Sequence, residues 1–105
     1  MTNKTAKFQV GQLIHHKLFN YRGVVIDVDA IYSGTEEWYK TVARSHPPKD
    51  EPWYHLLVHQ AEHFTYVAER NMEVDVLKKP IIHPFLNHFF EGMHDGFYVS
   101  LHSSH

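Results

Sequence analysis

The chain has 105 residues, 43% of them hydrophobic and 21% charged, with a net charge of −2 and no cysteine. These values describe one globular domain, taken as residues 1–105 with a core over about 8–101, and exclude disulfides, thiolate metal sites and cysteine nucleophiles. No apolar run approaches the roughly 20 residues of a membrane-spanning helix, and the polar start Met1–Lys7 has no apolar signal core, so a soluble cytoplasmic protein is expected.

Charge is unevenly spread. Residues 1–50 hold seven Lys/Arg against five Asp/Glu, whereas 51–105 hold three against seven. A mild acidic balance argues against strong nonspecific binding to DNA, which depends on neutralising phosphates. Eleven histidines add positive charge only below about pH 6.5.

In chain order, Phe8, Val10 and Ile14 give a loose alternation that predicts a first strand. A turn at Leu18-Phe19-Asn20 leads to a second, where Val24, Ile26 and Val28 alternate with Val25, Asp27 and Asp29; this predicts one buried and one wet face. Gly11 and Gly23 sit inside these runs, where glycine marks a bulge or a tight bend. Ser33-Gly34-Thr35-Glu36 matches a capping box with Ser33 as N-cap, followed by a short helix with Trp38 and Val42, or Tyr39 and Ala43, on its buried face. Pro47-Pro48 ends it, and Ser45–Glu51 reads as an exposed loop.

Two further strands are predicted at Trp53–His59 and Phe64–Glu69, joined by a turn around Ala61-Glu62. Tyr54, Leu56 and Val58 point one way, and His55, Leu57 and His59 the other. Lys78-Lys79-Pro80 reads as a connector, Phe85–Phe90 as a short helix or a bent strand, Gly96–Leu101 as a last strand, and His102–His105 as a frayed tail. Closely spaced strands with one helical insertion predict a mainly β fold, a small, partly open, SH3-like β-barrel.

The sharpest catalytic pattern is His59-Gln-Ala-Glu-His63, which fits the inverted zinc-protease motif H-x-x-E-H. That chemistry requires a helix, and these residues bridge two strands, so a plain hairpin turn is expected. His15 with His16, His83 with His88, and His102 with His105 are pairs with metal-binding chemistry, but adjacent strand residues point to opposite faces. Asp27 and Asp29 share a strand face and form a carboxylate pair, better read as a solvated face. No G-x-S-x-G elbow or glycine-rich phosphate loop is present, and no catalytic residue, metal or cofactor is expected. Lys17, Tyr21 and Arg22 form a basic-aromatic cluster at the first hairpin that suits phosphate and base contacts. Trp53 and Tyr54 offer a recognition surface or a buried core, the commoner fate of such residues.

Three strings carry a resemblance across residues 8–98. Gly11, Gln12 and His16 with Tyr21-Arg-Gly-Val-Val25, Asp27 and Asp29 form the first; Pro52-Trp-Tyr-His55 with Leu57 the second; Thr65-Tyr-Val-Ala-Glu69 with Asn71 the third. His83-Pro84, Phe89-Phe90, Gly96 and Tyr98 complete the order. Together they resemble the YccV-like, or HspQ, family of small hemimethylated-DNA-binding and heat-shock domains. Ala30 stands where proline is frequent in the family, and His59 and His63 where its hairpin is commonly acidic.

The resemblance implies a non-enzymatic protein of one of two kinds. One is a stress-response cofactor that engages the Lon protease and promotes degradation of selected proteins, including the replication initiator. The other is a protein that binds hemimethylated DNA near replication origins. The acidic balance favours the protease cofactor, with Lys17, Tyr21, Arg22, Trp53, Tyr54, His59 and His63 as the candidate partner or DNA surface. An unpaired strand edge leaves homo-oligomers open.

Overall fold

Gly11 explains where the first strand starts. In the computed structural model, which describes residues 5–101, this glycine has φ +92°, and a Cβ there would overlap the carbonyl oxygen of Tyr98. The extended chain therefore breaks at Gly11, and β1 runs only from Leu13 to His16. Phe8 lies outside the strand but reaches the core, packing edge-on to Tyr54 and donating its N–H to the Tyr54 hydroxyl. A tight turn follows, with Asn20 in the left-handed region at φ 56°.

β2 (Arg22–Asp29), β3 (Trp53–Val58) and β4 (Phe64–Ala68) continue as an antiparallel meander. A 3-10 turn at Glu69–Asn71 then carries the chain to β5 (Met72–Val74), which pairs with the free side of β1. The sheet order is β4-β3-β2-β1-β5. A separate hairpin follows from the short helix α2 (Leu86–Phe89), made of β6 (Phe90–His94) and β7 (Phe97–Ser100). It joins the sheet through the bridge between Gln12 and Phe97 and the bond from Tyr98 N–H to the Gly11 carbonyl.

The barrel expectation is corrected. No ladder joins β4 to β5 among the described residues, so the five-stranded sheet stays open and β4 keeps one unpaired edge. Strand count and spacing were correctly suggestive of a β fold, but closure requires one further strand pairing that spacing does not encode.

Both faces of the sheet are covered. Phe8, Ile14, Val25, Tyr54, Leu56, Val67 and Met72 form one apolar cluster, with Val28 against it. Leu13, Val24, Leu57, Ile81, Phe90 and Tyr98 form the other, with Ile26 against it. The expectation of a wet face on β2 therefore fails at Val25, which is fully buried like Val24 on the opposite face. A bulge between Val25 and Asp27 breaks the alternation at Ile26 and sets Asp27 opposite His55 and Asp29 opposite Trp53. Gly23 is not the bulge. It marks a close approach, since a Cβ there would lie 2.7 Å from the Leu57 carbonyl oxygen.

Helix α1 (Glu36–Val42) is capped by Thr35, whose Oγ1 accepts the Trp38 N–H at 3.1 Å, rather than by Ser33. Ser33 is still in the preceding loop, with its N–H bonded to the Tyr66 hydroxyl. The helix buries no residue completely; Trp38 and Tyr39 instead join a ring cluster with Tyr32, Trp53 and Tyr66. Pro47, expected in an exposed loop, is buried and accepts the Tyr39 hydroxyl at 2.6 Å. His102–His105 lie outside the described residues.

Candidate nucleic-acid and partner interface

The sheet brings the β1–β2 and β3–β4 turns side by side. The His59 N–H donates to the Arg22 carbonyl, and the Tyr21 hydroxyl bonds Thr65 Oγ1 at 2.9 Å. The candidate residues fall into three groups. Lys17 is exposed at the tip of the first turn, followed by Leu18 and Phe19, the latter 73% exposed. Tyr21 is half-buried, and burial raises its phenol above the ordinary range, partly offset by the bond with Thr65.

Arg22 is committed to the fold. Its Nε donates to Asp75 Oδ2 at 2.6 Å and its Nη2 to the Lys79 carbonyl, which removes it from the free cations of the first hairpin. Trp53 and Tyr54 are core residues, 1% and 0% exposed. The Trp53 indole donates to the Pro48 carbonyl, and the Tyr54 hydroxyl donates to Glu69 Oε2. Trp53 and Tyr54 open β3, and alternation sends them to opposite faces without saying that both faces are covered, so their burial was decided by packing.

The histidines also act within the chain. His16 is 3% exposed, and its Nδ1 accepts the backbone N–H groups of both Leu18 and Phe19 at 3.1 Å. That arrangement requires an unprotonated Nδ1, and burial, reinforced by the neighbouring His15, holds the ring below its usual range. Phe19 stacks on it, with ring centroids 4.7 Å apart. His59 Nδ1 accepts the Ile82 N–H, and His83 Nδ1 accepts the Phe85 N–H while its Nε2 donates to the His63 carbonyl. His59 and His63 thus close a turn and do not share a helix face, which disposes of the zinc-protease spacing. His15 engages both ring nitrogens, with Glu73 and Asn20, which raises its affinity for a proton. Capping of backbone N–H groups by buried histidine was not legible in the sequence, because it depends on the turn geometry.

Beneath α1, Asp29 Oδ2 accepts from the Tyr66 hydroxyl at 2.7 Å and from His55 Nε2 at 3.0 Å. Burial opposes ionisation of Asp29, but the two hydrogen bonds outweigh it and leave the carboxyl below the ordinary range. The Tyr66 phenol is pushed up to about 12 by burial and by the bond it donates. Asp27, Asp29 and His55 bring ligand-type atoms within 4.8 Å of one another, but the shared oxygen of Asp29 already accepts both neighbours.

Two surfaces remain. The first is basic: Lys7 and Lys17 donate their backbone N–H groups to Glu69 and to the Asn71 carbonyl, so both flank Arg70 on the 3-10 turn. All three side chains are exposed; Glu51 and Glu69 line the same hollow as Lys7 and Arg70, and the Glu69 carboxylate is held by Tyr54. Lys7 and Arg70 were missed in the sequence because 62 intervening residues separate them. The second is a cavity of about 880 Å³ beside β4, lined by Phe19, Tyr21, Trp38, Val42, Arg44 and Phe64 among others.

A small antiparallel sheet whose polar groups are largely tied into the fold, with exposed cations at its margin, offers surfaces for binding. The family model described as hemimethylated DNA-binding protein YccV like matches residues 6–96. The chain belongs to this YccV-like family. The family is described by what it binds, and the chain is accordingly a binding protein rather than an enzyme. No helix among the described residues is long and apolar enough to cross a membrane.

Proposed function

We propose that the chain binds hemimethylated duplex DNA as a single cytoplasmic domain. The observation that carries this reading is the family match over residues 6–96. Its support in the fold is the basic margin formed by Lys7, Lys17 and Arg70, next to the exposed Leu18-Phe19 tip that His16 holds in shape. The cations contact phosphates, which position the domain but carry no sequence information; an apolar tip beside them supplies the contact that responds to a methyl group in a groove.

The test is fluorescence anisotropy with duplexes methylated on one strand, both strands or neither, across a salt series. Three phosphate contacts give a slope of log K against log salt of about −2.7. Lys17→Ala and Arg70→Ala each reduce that slope by about 0.9, and Phe19→Ala erases the preference for the hemimethylated duplex. Equal, salt-insensitive binding to all three duplexes overturns the reading.

A second reading, a stress-response cofactor of the Lon protease acting on proteins such as the replication initiator, is favoured by the apolar cavity beside the unpaired edge of β4. Such an edge suits protein chains better than DNA. Degradation of a candidate substrate by purified Lon, with and without this protein, tests it: saturable acceleration supports the cofactor role, and an unchanged rate removes it.

A further inference from the structure

β4 is the edge strand of the sheet, and its outer backbone groups are paired with no other strand among the described residues. Exposed edges of this kind are ordinarily blunted by charge, proline or a covering element. Here Phe64-Thr-Tyr-Val-Ala68 carries neither charge nor proline. Val67 and Ala68 at its end are buried, and a cavity of about 880 Å³ lies along the strand.

The cavity has two walls. The β1–β2 turn contributes Phe19 and Tyr21 to one, on the side of Thr65, to which Tyr21 is bonded. Helix α1 and the turn after it contribute Trp38, Val42 and Arg44 to the other, on the side of Tyr66, against which Trp38 packs. Thr65 and Tyr66 are neighbours whose side chains leave opposite faces of the strand. A strand between two walls is the geometry of strand addition, in which an extended segment pairs its backbone with the edge and sends alternate side chains to each wall.

The charge of the lining identifies the occupant. It includes Arg44 but no Asp or Glu, with Lys17 at the adjoining turn, although the chain as a whole has a net charge of −2. His16 is buried and accepts two N–H groups, and His55 is paired with Asp29, so the cationic character rests on Arg44 and Lys17. We propose that this groove binds an extended segment of a partner protein in which apolar residues alternate with acidic ones. A second copy is a poorer occupant, because edge-to-edge pairing would bring two acid-free surfaces bearing Arg44 together. A nucleic-acid strand supplies negative charge but has no backbone ladder to match the edge of β4. The inference is independent of DNA binding and gives the protease-cofactor reading a surface, without resting on it.

The probe is a labelled eight-residue peptide alternating leucine with glutamate, compared with one alternating leucine with lysine, measured by anisotropy on the full chain. The glutamate peptide binds saturably and slows amide exchange at residues 64–68, and the lysine peptide binds about fivefold more weakly. Arg44→Glu inverts that order. Val42→Ser, on the exposed face of α1, weakens the glutamate peptide without altering the unfolding midpoint. Absence of saturable binding, or a preference unmoved by Arg44→Glu, overturns the proposal. So does slowed exchange at 64–68 produced by a single-stranded oligonucleotide, or by a concentration-dependent dimer seen in sedimentation, in place of the peptide.

Discussion

Arg22 and Asp75 are joined by an ion pair of 2.6 Å, and their side chains are only 14% and 4% exposed. Fifty-three positions apart in the chain, they tie the start of β2 to the segment that follows β5. Asp75 Oδ1 also accepts the Leu77 N–H, so the carboxylate is satisfied on both oxygens. Removing one partner leaves a buried charge uncompensated. Arg22→Ala is therefore expected to cost about 3 kcal/mol in urea unfolding, and replacing both residues by apolar ones to cost less than that single change. Arg22→Lys, which keeps the charge, should leave the salt slope of DNA binding unchanged, because this residue does not face solvent as a free cation.

Acidification should loosen the β1–β2 turn. The folded state holds His16 below its usual range, so between that lowered value and about 6.5 the unfolded chain binds more protons than the native one. Its contribution is complete above about pH 6.5 and is lost as pH falls through the folded value. His59, also held low by burial and by the Arg22 charge, works in the same direction. His15 opposes them: its affinity is raised by Asn20 and Glu73, so its contribution is present below about pH 6.5 and lost above the folded value. Unfolding midpoints from pH 8 to 5 should fall for the wild type and fall less for His16→Asn, whose side-chain oxygen accepts N–H groups without titrating.

Gly11→Ala should detach the C-terminal hairpin. The left-handed φ of +92° and the overlap with the Tyr98 carbonyl both penalise a side chain. A loss of about 2 kcal/mol is expected, with amide exchange accelerated at Phe97 and Tyr98 before β2 and β3.

Trp53→Ala and Phe19→Ala should separate core from surface. Trp53 is 1% exposed, and its loss is expected to cost about 4 kcal/mol. Phe19 is 73% exposed, so thermal unfolding should shift little while binding changes.

Asp27→Asn and Asp29→Asn should differ although the two residues lie on one face. Asp27 is exposed and bonds only the Val28 N–H among the bonds of its side chain, whereas Asp29 holds Tyr66 and His55. About 1 kcal/mol is expected from Asp29→Asn and close to none from Asp27→Asn, with the fold retained in both.

The strand-forming runs at Val24–Val28, Trp53–Val58 and Phe64–Ala68 were legible because β-branched and aromatic residues at period two constrain the backbone locally. β5 and β6 were not: Met72–Val74 is three residues long, and Phe90–His94 contains Gly92, so neither makes a pattern by itself. Among site residues, exposure of Lys17 followed from its place at the start of a turn. The fates of Arg22, Trp53 and Tyr54 did not, since a cation and two aromatic rings serve equally in a core or on a surface.

The sequence by itself determined the strand-rich class, the turn at Asn20, the exclusion of cysteine chemistry, and the motif order from Gly11 to Tyr98 that marks the family. These are properties of residue type and spacing, which act over a few neighbouring residues. Tertiary structure alone decided that the sheet stays open, that both its faces are covered, and that Lys7, Lys17 and Arg70 share a margin. Each depends on contacts between residues far apart in the chain, whose pairing is selected by the packing of the whole and not by any local preference.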